Sequence, residues 1–149
     1  MSSKKKTAII ITIVLASVCL ILQIFVWFYS FAYQKAILAI RFANQELIIE
    51  SEEEGSWVSN SDLLRLKIVD DHYIQSPHEE QLLILYMSKT KIQKIGLTSI
   101  SFRLIYKYDV LIGDSFHKIN ELNGEAIIHL NFKNWQWYVT AVEGIIDGA

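Results

Sequence analysis

Apolar residues run almost without a break from Thr7 to Tyr33, directly behind Lys4-Lys5-Lys6. The polar residues within the run are Thr7, Thr12, Ser17, Gln23 and Ser30, and none is charged. A helix needs about 20 apolar residues to cross a bilayer's hydrocarbon core, so this segment is expected to span a membrane. Trp27, Phe28, Tyr29, Phe31 and Tyr33 gather at its far end, where amphipathic rings favour the membrane–water boundary.

A helical pattern continues beyond the span. Between Tyr33 and Ile49 there is neither Gly nor Pro, and Ala36, Ile37, Ala39, Ile40, Ala43, Leu47 and Ile48 fall near i, i+3, i+4, i+7 spacing. That spacing predicts a helix with one apolar face, ending in the run Glu52-Glu53-Glu54 with Gly55 as a stop. Ser59 to Val69 reads as a short second helix capped by Asn60 or Ser61, and Asp70 to Glu80, which holds Pro77, reads as a loop.

After Pro77 the period changes to two. Gln81 to Lys94 reads as a strand, or as two with a kink, around Leu82, Ile84, Tyr86 and Ile92, broken by Gly96. From Leu97 to Ile112, Ile100, Phe102, Leu104, Tyr106, Tyr108 and Val110 alternate with Ser99, Ser101, Arg103, Ile105, Lys107 and Asp109. This predicts a strand with its first set buried and Ser101, Arg103 and Lys107 in water. Gly113-Asp114 and Asn123-Gly124 read as turns. Glu125 to Phe132 and Trp135 to Val142 read as two more strands, the last with Trp135, Trp137, Val139 and Ala141 on one face. Short connections make neighbours antiparallel, and a sheet with one apolar face needs a cover. The expected fold class is therefore α+β: one N-terminal transmembrane helix, continuing into a helix packed on a three- to five-stranded antiparallel sheet. The expected division is a basic tail over 1–6, the span over 7–33 and an extracytoplasmic domain over 34–149.

Charge sets the orientation. Lys4, Lys5 and Lys6 precede the span, which places the N-terminus in the cytoplasm and the domain outside it, in the cell membrane's outer compartment. An alternative is a signal sequence cleaved at Ser30-Phe31-Ala32, but a signal's apolar region is about 7–15 residues and this one is longer and ends in bulky aromatics. The chain has 14 Lys and Arg against 16 Asp and Glu, and only the three N-terminal lysines lie before Gln34, so the domain carries a net charge of −5. That excess argues against a nucleic-acid partner and against adhesion to an anionic lipid surface. Cys19 is the single cysteine and lies in the span, so the domain holds no internal disulfide.

Little in the pattern carries chemistry. Asp70-Asp71-His72 and His78-Glu79-Glu80 flank a loop, and His72, His78, Glu79 and Asp70 are weak candidates for a divalent metal, against the plainer reading of a solvated loop. His117 and His129 lie near strands and read as surface or cross-strand packing. No serine or cysteine stands in a nucleophile elbow and no Gly-rich loop follows a strand, so no catalytic residue and no cofactor are expected. Trp57, Trp135, Trp137 and Tyr138 are either core or an exposed anchor for a partner.

A helix followed by an antiparallel sheet that ends in Asn134-Trp135-Gln136-Trp137-Tyr138-Val139-Thr140 resembles the cystatin/NTF2-like exported domains. Membrane-anchored versions include the VirB8-type assembly factors of bacterial secretion and conjugation systems. The resemblance covers about Tyr33 to Ile145, and this chain is shorter than those members. The likeness concerns the fold, which does not fix function. The anchor, the acidic domain and the lack of a catalytic signature instead lead us to expect a non-catalytic accessory protein that binds the bilayer through residues 7–33 and another envelope protein through its domain, in a secretion, conjugation or division machine. Two alternatives stay open: an immunity protein that neutralises an exported antibacterial toxin, and a small-ligand or enzymatic module using the fold's concavity.

Overall fold

In the structure, a computed structural model, residues 2–44, 57–69, 81–113 and 117–145 are described. Helix α1 (Ser3–Ala43) begins at Ser2, whose side chain accepts from the Lys5 amide, and runs unbroken through the apolar segment into the domain. By length and composition it is long and apolar enough to cross a membrane. Helix α2 (Asn60–Leu66) follows, capped by Ser59 one residue before the two expected caps. Four strands complete the fold: β1 (Gln81–Ile95), β2 (Ser99–Ile112), β3 (His117–Lys133) and β4 (Gln136–Ile145). They form one antiparallel meander in the order β1-β2-β3-β4. The chain is thus α+β, as expected.

The second half of α1 covers one face of this sheet. Ala32, Ala36, Ala39 and Ala43 recur at helical spacing and are buried with Ile40. Small side chains along that stripe let the helix backbone approach the strands closely, so the larger residues opposite can fill the space. Those opposite residues are Phe102, Leu104, Tyr106, Ala126, Ile128, Leu130, Trp137 and Val142. Each large one contributes about 1.5–3 kcal/mol by leaving water.

Asn44 caps α1 and is fully buried. Its Nδ2 donates to the Ile40 carbonyl at 2.8 Å and the Leu66 carbonyl at 3.3 Å, while its Oδ1 accepts the Ile68 and Val69 amides at 2.8 and 2.9 Å. One amide thereby closes the helix end and pins the segment leaving α2. The expected extension of the first helix through Leu47 and Ile48 to Glu54 and Gly55 lies outside the described residues.

Several face assignments differ from the alternation. On β1 the inner side is Leu83, Leu85 and Met87, while Leu82, Ile84 and Tyr86 pair with the outer face of β2. Leu82 to Leu85 is apolar on both phases, so a period of two could not choose between them. A bulge at Ser88 then swaps the phase and brings Ile92 opposite Phe102 on the inner side. In β4, a bulge at Thr140 puts Val142 inside in place of Ala141. Asn123-Gly124 is not a turn but lies within β3, opposite Lys107 and Tyr106. A Cβ at Gly124 would sit 2.7 Å from Tyr106 Cζ, so the missing side chain is what admits the buried ring. Ile100, Phe102, Leu104 and Tyr106 are buried as expected; Ser101, expected in water, is buried beside His129.

Candidate functional site

The two hairpin tips, β1–β2 and β3–β4, lie at the same end of the sheet and flank α1 where the apolar segment gives way to the domain. Tyr29 donates its hydroxyl to the Gly96 carbonyl at the first tip. Tyr33 packs edge-on against Phe102 at 5.5 Å, and its hydroxyl is 3.1 Å from Thr90 Oγ1. At the second tip, Phe28 meets Phe132 edge-on and Trp137 at a tilt, each with ring centres 4.8 Å apart. Of the five aromatics expected at a membrane interface, Phe28, Tyr29 and Tyr33 therefore hold the sheet as well. Trp27 stays largely exposed, edge-on to Phe31 at 4.8 Å. Lys4, Lys5 and Lys6 lie in the first turns of α1 and are exposed.

The aromatic candidates separate into three kinds. Trp137 is core, and its Nε1 donates to the Phe28 carbonyl at 3.2 Å. Trp57 is also core; its carbonyl accepts the Val139 amide at 2.8 Å, and Lys35 Nζ lies 4.5 Å from its ring centre. Partial burial there lowers the Lys35 pKa below 10.5. Tyr138 is half-buried on the outer face opposite Asn131. Trp135 does not share the face of Trp137. It lies in the turn before β4 with φ 63°, next to Asn134 at φ 51°, and its side chain is 94% exposed. Two consecutive positive φ values are those of a tight hairpin turn, which favours Gly or Asn; a tryptophan there is strained. Alternation could not reveal this, because a residue in the turn belongs to neither face.

Trp135 forms one wall of an open groove of about 660 Å³ between the β3–β4 hairpin and α1. Trp27, Phe31 and Leu38 form the opposite wall, Trp137 the floor, and Gln34, Lys35 and Gln136 the polar margin. From Trp27 to Leu38 the groove follows the helix for roughly 16 Å. A second apolar groove, about 710 Å³, lies on the other flank of α1 beside the β1–β2 tip.

On the outer face of the sheet, three neighbouring strands bring Ser101, His129 and Glu143 into a row. Ser101 Oγ is 2.5 Å from His129 Nδ1, and His129 Nε2 is 3.5 Å from Glu143 Oε2. These are the residue types of a nucleophile–base–acid set, and sequence spacing gave no sign of them. Their setting is that of a cross-strand hydrogen bond instead. Ser101 is buried near the start of β2, where ladders to β1 and β3 flank it on both sides, so the backbone amides there are engaged and cannot converge on an oxyanion.

The weak metal candidates Asp70, His72, His78 and Glu79 lie outside the described residues, and among the described residues no group of three or more His, Cys, Asp or Glu comes together. His117 is exposed at the start of β3. No family model, no curated protein and no solved structure matches this chain.

Proposed function

We propose that the chain is a non-catalytic, single-pass membrane protein whose extracytoplasmic domain binds another envelope protein in the groove beneath Trp135. The observation that carries this reading is a large aromatic side chain held in a strained turn and left almost wholly in solvent, over a groove that its own fold leaves open. Strain at such a position is retained where the side chain has a use, and exposed tryptophans over apolar pockets dominate binding energetics. The groove is open along its length and nearly free of convergent polar groups, which suits an apolar segment of a protein better than a small polar ligand.

The anchor reading is supported by the continuity of α1. The helix passes through Ser30-Phe31-Ala32 without interruption, and Ala32 is already buried in the domain core. Cleavage after Ala32 would remove Phe28 and Tyr29, which hold the two hairpin tips. With Lys4 to Lys6 on the cytoplasmic side, the domain lies outside the cell membrane.

The test is capture from detergent extracts with the full chain as bait. Wild type is expected to retain one stable envelope protein or exported toxin, and Trp135→Ala to lose most of it while melting at the wild-type temperature. Equal recovery by both would remove the groove from the interaction, and recovery of nothing above background by wild type would sink the reading. Protease added outside intact cells is expected to digest the domain and spare the N-terminus; a soluble form beginning at Tyr33 would mean that the anchor is cleaved.

A further inference from the structure

We propose that the β1–β2 hairpin tip is a second membrane contact, inserted into the headgroup and upper acyl region of the outer leaflet beside α1. The proposal rests on the anchor reading above and goes beyond it, because it adds a part of the sheet to the bilayer-facing surface.

Depth is the first argument. A hydrocarbon core of about 30 Å entered at Ala8 is left near Phe28 at 1.5 Å per residue. Leu22 and Phe25 then lie roughly 5–9 Å inside it. The groove beside the tip is walled by Leu22, Phe25 and Val26 on the helix and by Ile92, Ile95 and Leu97 on the hairpin. The hairpin therefore reaches the level of side chains that belong to the span, and the Tyr29–Gly96 hydrogen bond holds it there.

Side-chain chemistry is the second. Leu97 is 80% exposed in the turn, and Ile95 and Ile92 at the end of β1 leading into it are 57% and 53% exposed, where polar residues would be expected in water. Lys89, Lys91 and Lys94 are exposed along β1 just behind them. By register Lys91 and Lys94 are opposite Arg103 and Ser101, on the face turned away from α1. The net negative charge of the domain does not extend to this edge. Apolar tip and lysine collar match acyl chains and phosphate headgroups, with the long stems of lysine reaching to the interface.

Backbone satisfaction is the third. The Gly96 amide donates to the Ser99 carbonyl at 2.7 Å and the Thr98 carbonyl accepts the Phe132 amide at 2.7 Å, so these turn groups enter a region poor in water already paired.

The experiment uses the full chain with Cys19→Ala, reconstituted into phosphatidylcholine–phosphatidylglycerol vesicles. An environment-sensitive fluorophore is attached through Leu97→Cys, through Lys118→Cys at the opposite end of the sheet, or through Leu15→Cys within the span. Lipids brominated high in the acyl chain are expected to remove most of the fluorescence at 97 and almost none at 118, while mid-chain bromines quench 15. Fluorescence at 97 that survives brominated lipid and is quenched by aqueous iodide, with 15 still quenched by lipid, would overturn the tip contact and leave the anchor standing. Protection at 97 from both quenchers would mean that protein, such as a second copy, covers the tip, and would also overturn it. Loss of quenching at 15 would overturn the anchor and the tip contact together. Lys91→Gln with Lys94→Gln is expected to weaken lipid quenching at 97 in these anionic vesicles; unchanged quenching would overturn the headgroup part of the proposal.

Discussion

Trp137 donates its indole N–H to the backbone carbonyl of Phe28 at 3.2 Å, and the two rings lie 4.8 Å apart. The last strand is thereby tied to the helix at the point where the apolar segment enters the domain. Trp137→Ala is expected to cost about 3–5 kcal/mol, as for other large core aromatics. Trp137→Phe keeps most of the ring contact and loses the hydrogen bond, about 1 kcal/mol. Thermal unfolding of the full chain in detergent would separate the two; equal losses would mean that the hydrogen bond, not the ring, holds the helix.

Asn44 joins α1 to the segment after α2 through both ends of one amide. Asn44→Ala leaves the Ile68 and Val69 amides without that acceptor, and an unpaired buried donor costs about 1–3 kcal/mol. A total loss of about 2–4 kcal/mol is expected on the same scale, visible as a lower melting temperature. Asn44→Asp keeps the acceptor but turns an oxygen toward the Ile40 and Leu66 carbonyls, so it should not rescue. A variant with wild-type melting would show that the polar hub carries little of the stability.

Gly124 lies against Tyr106 so closely that an added methyl would meet ring carbons at 2.7 and 2.8 Å, and Ile68 Cγ2 at 3.0 Å. Gly124→Ala should therefore destabilise by about 1–3 kcal/mol, as overpacking does. Combined with Tyr106→Leu, the two losses should be less than additive, because the smaller side chain makes room for the methyl. Additive losses would place the strain elsewhere.

Tyr106 is also a marker of alkaline stability. Its hydroxyl donates to the Leu66 carbonyl at 2.8 Å, and burial raises its pKa above the ordinary 10.0. The unfolded chain therefore releases this proton first. The stabilisation is whole below pH 10.0 and declines as pH rises toward the raised value. Melting temperature should fall from pH 10.0 upward, and Tyr106→Phe should flatten the fall while lowering stability at neutral pH by about 1 kcal/mol. An identical alkaline slope in the variant would assign the loss to other groups.

What the sequence by itself determined follows from local periodicity. The apolar segment, the buried set Ile100, Phe102, Leu104 and Tyr106, and the α+β class were legible because one side of each element is apolar over many residues. The alanine face of α1 was legible for the same reason. Tertiary structure decided everything that depends on a phase or a distant partner. Bulges at Ser88 and Thr140 reverse the alternation without any residue that announces them. Gly124 looks like a turn and is instead a gap for the Tyr106 ring of the preceding strand. Trp135 and Trp137, two apart, separate into solvent and core because the hairpin turns between them. The Ser101–His129–Glu143 row and the Asn44 hub join residues from separate elements, and the tip beside Leu22 exists only because a hairpin folds back along the helix. Periodicity is a property of neighbours along the chain, whereas these features arise where strand register and helix packing bring distant residues together.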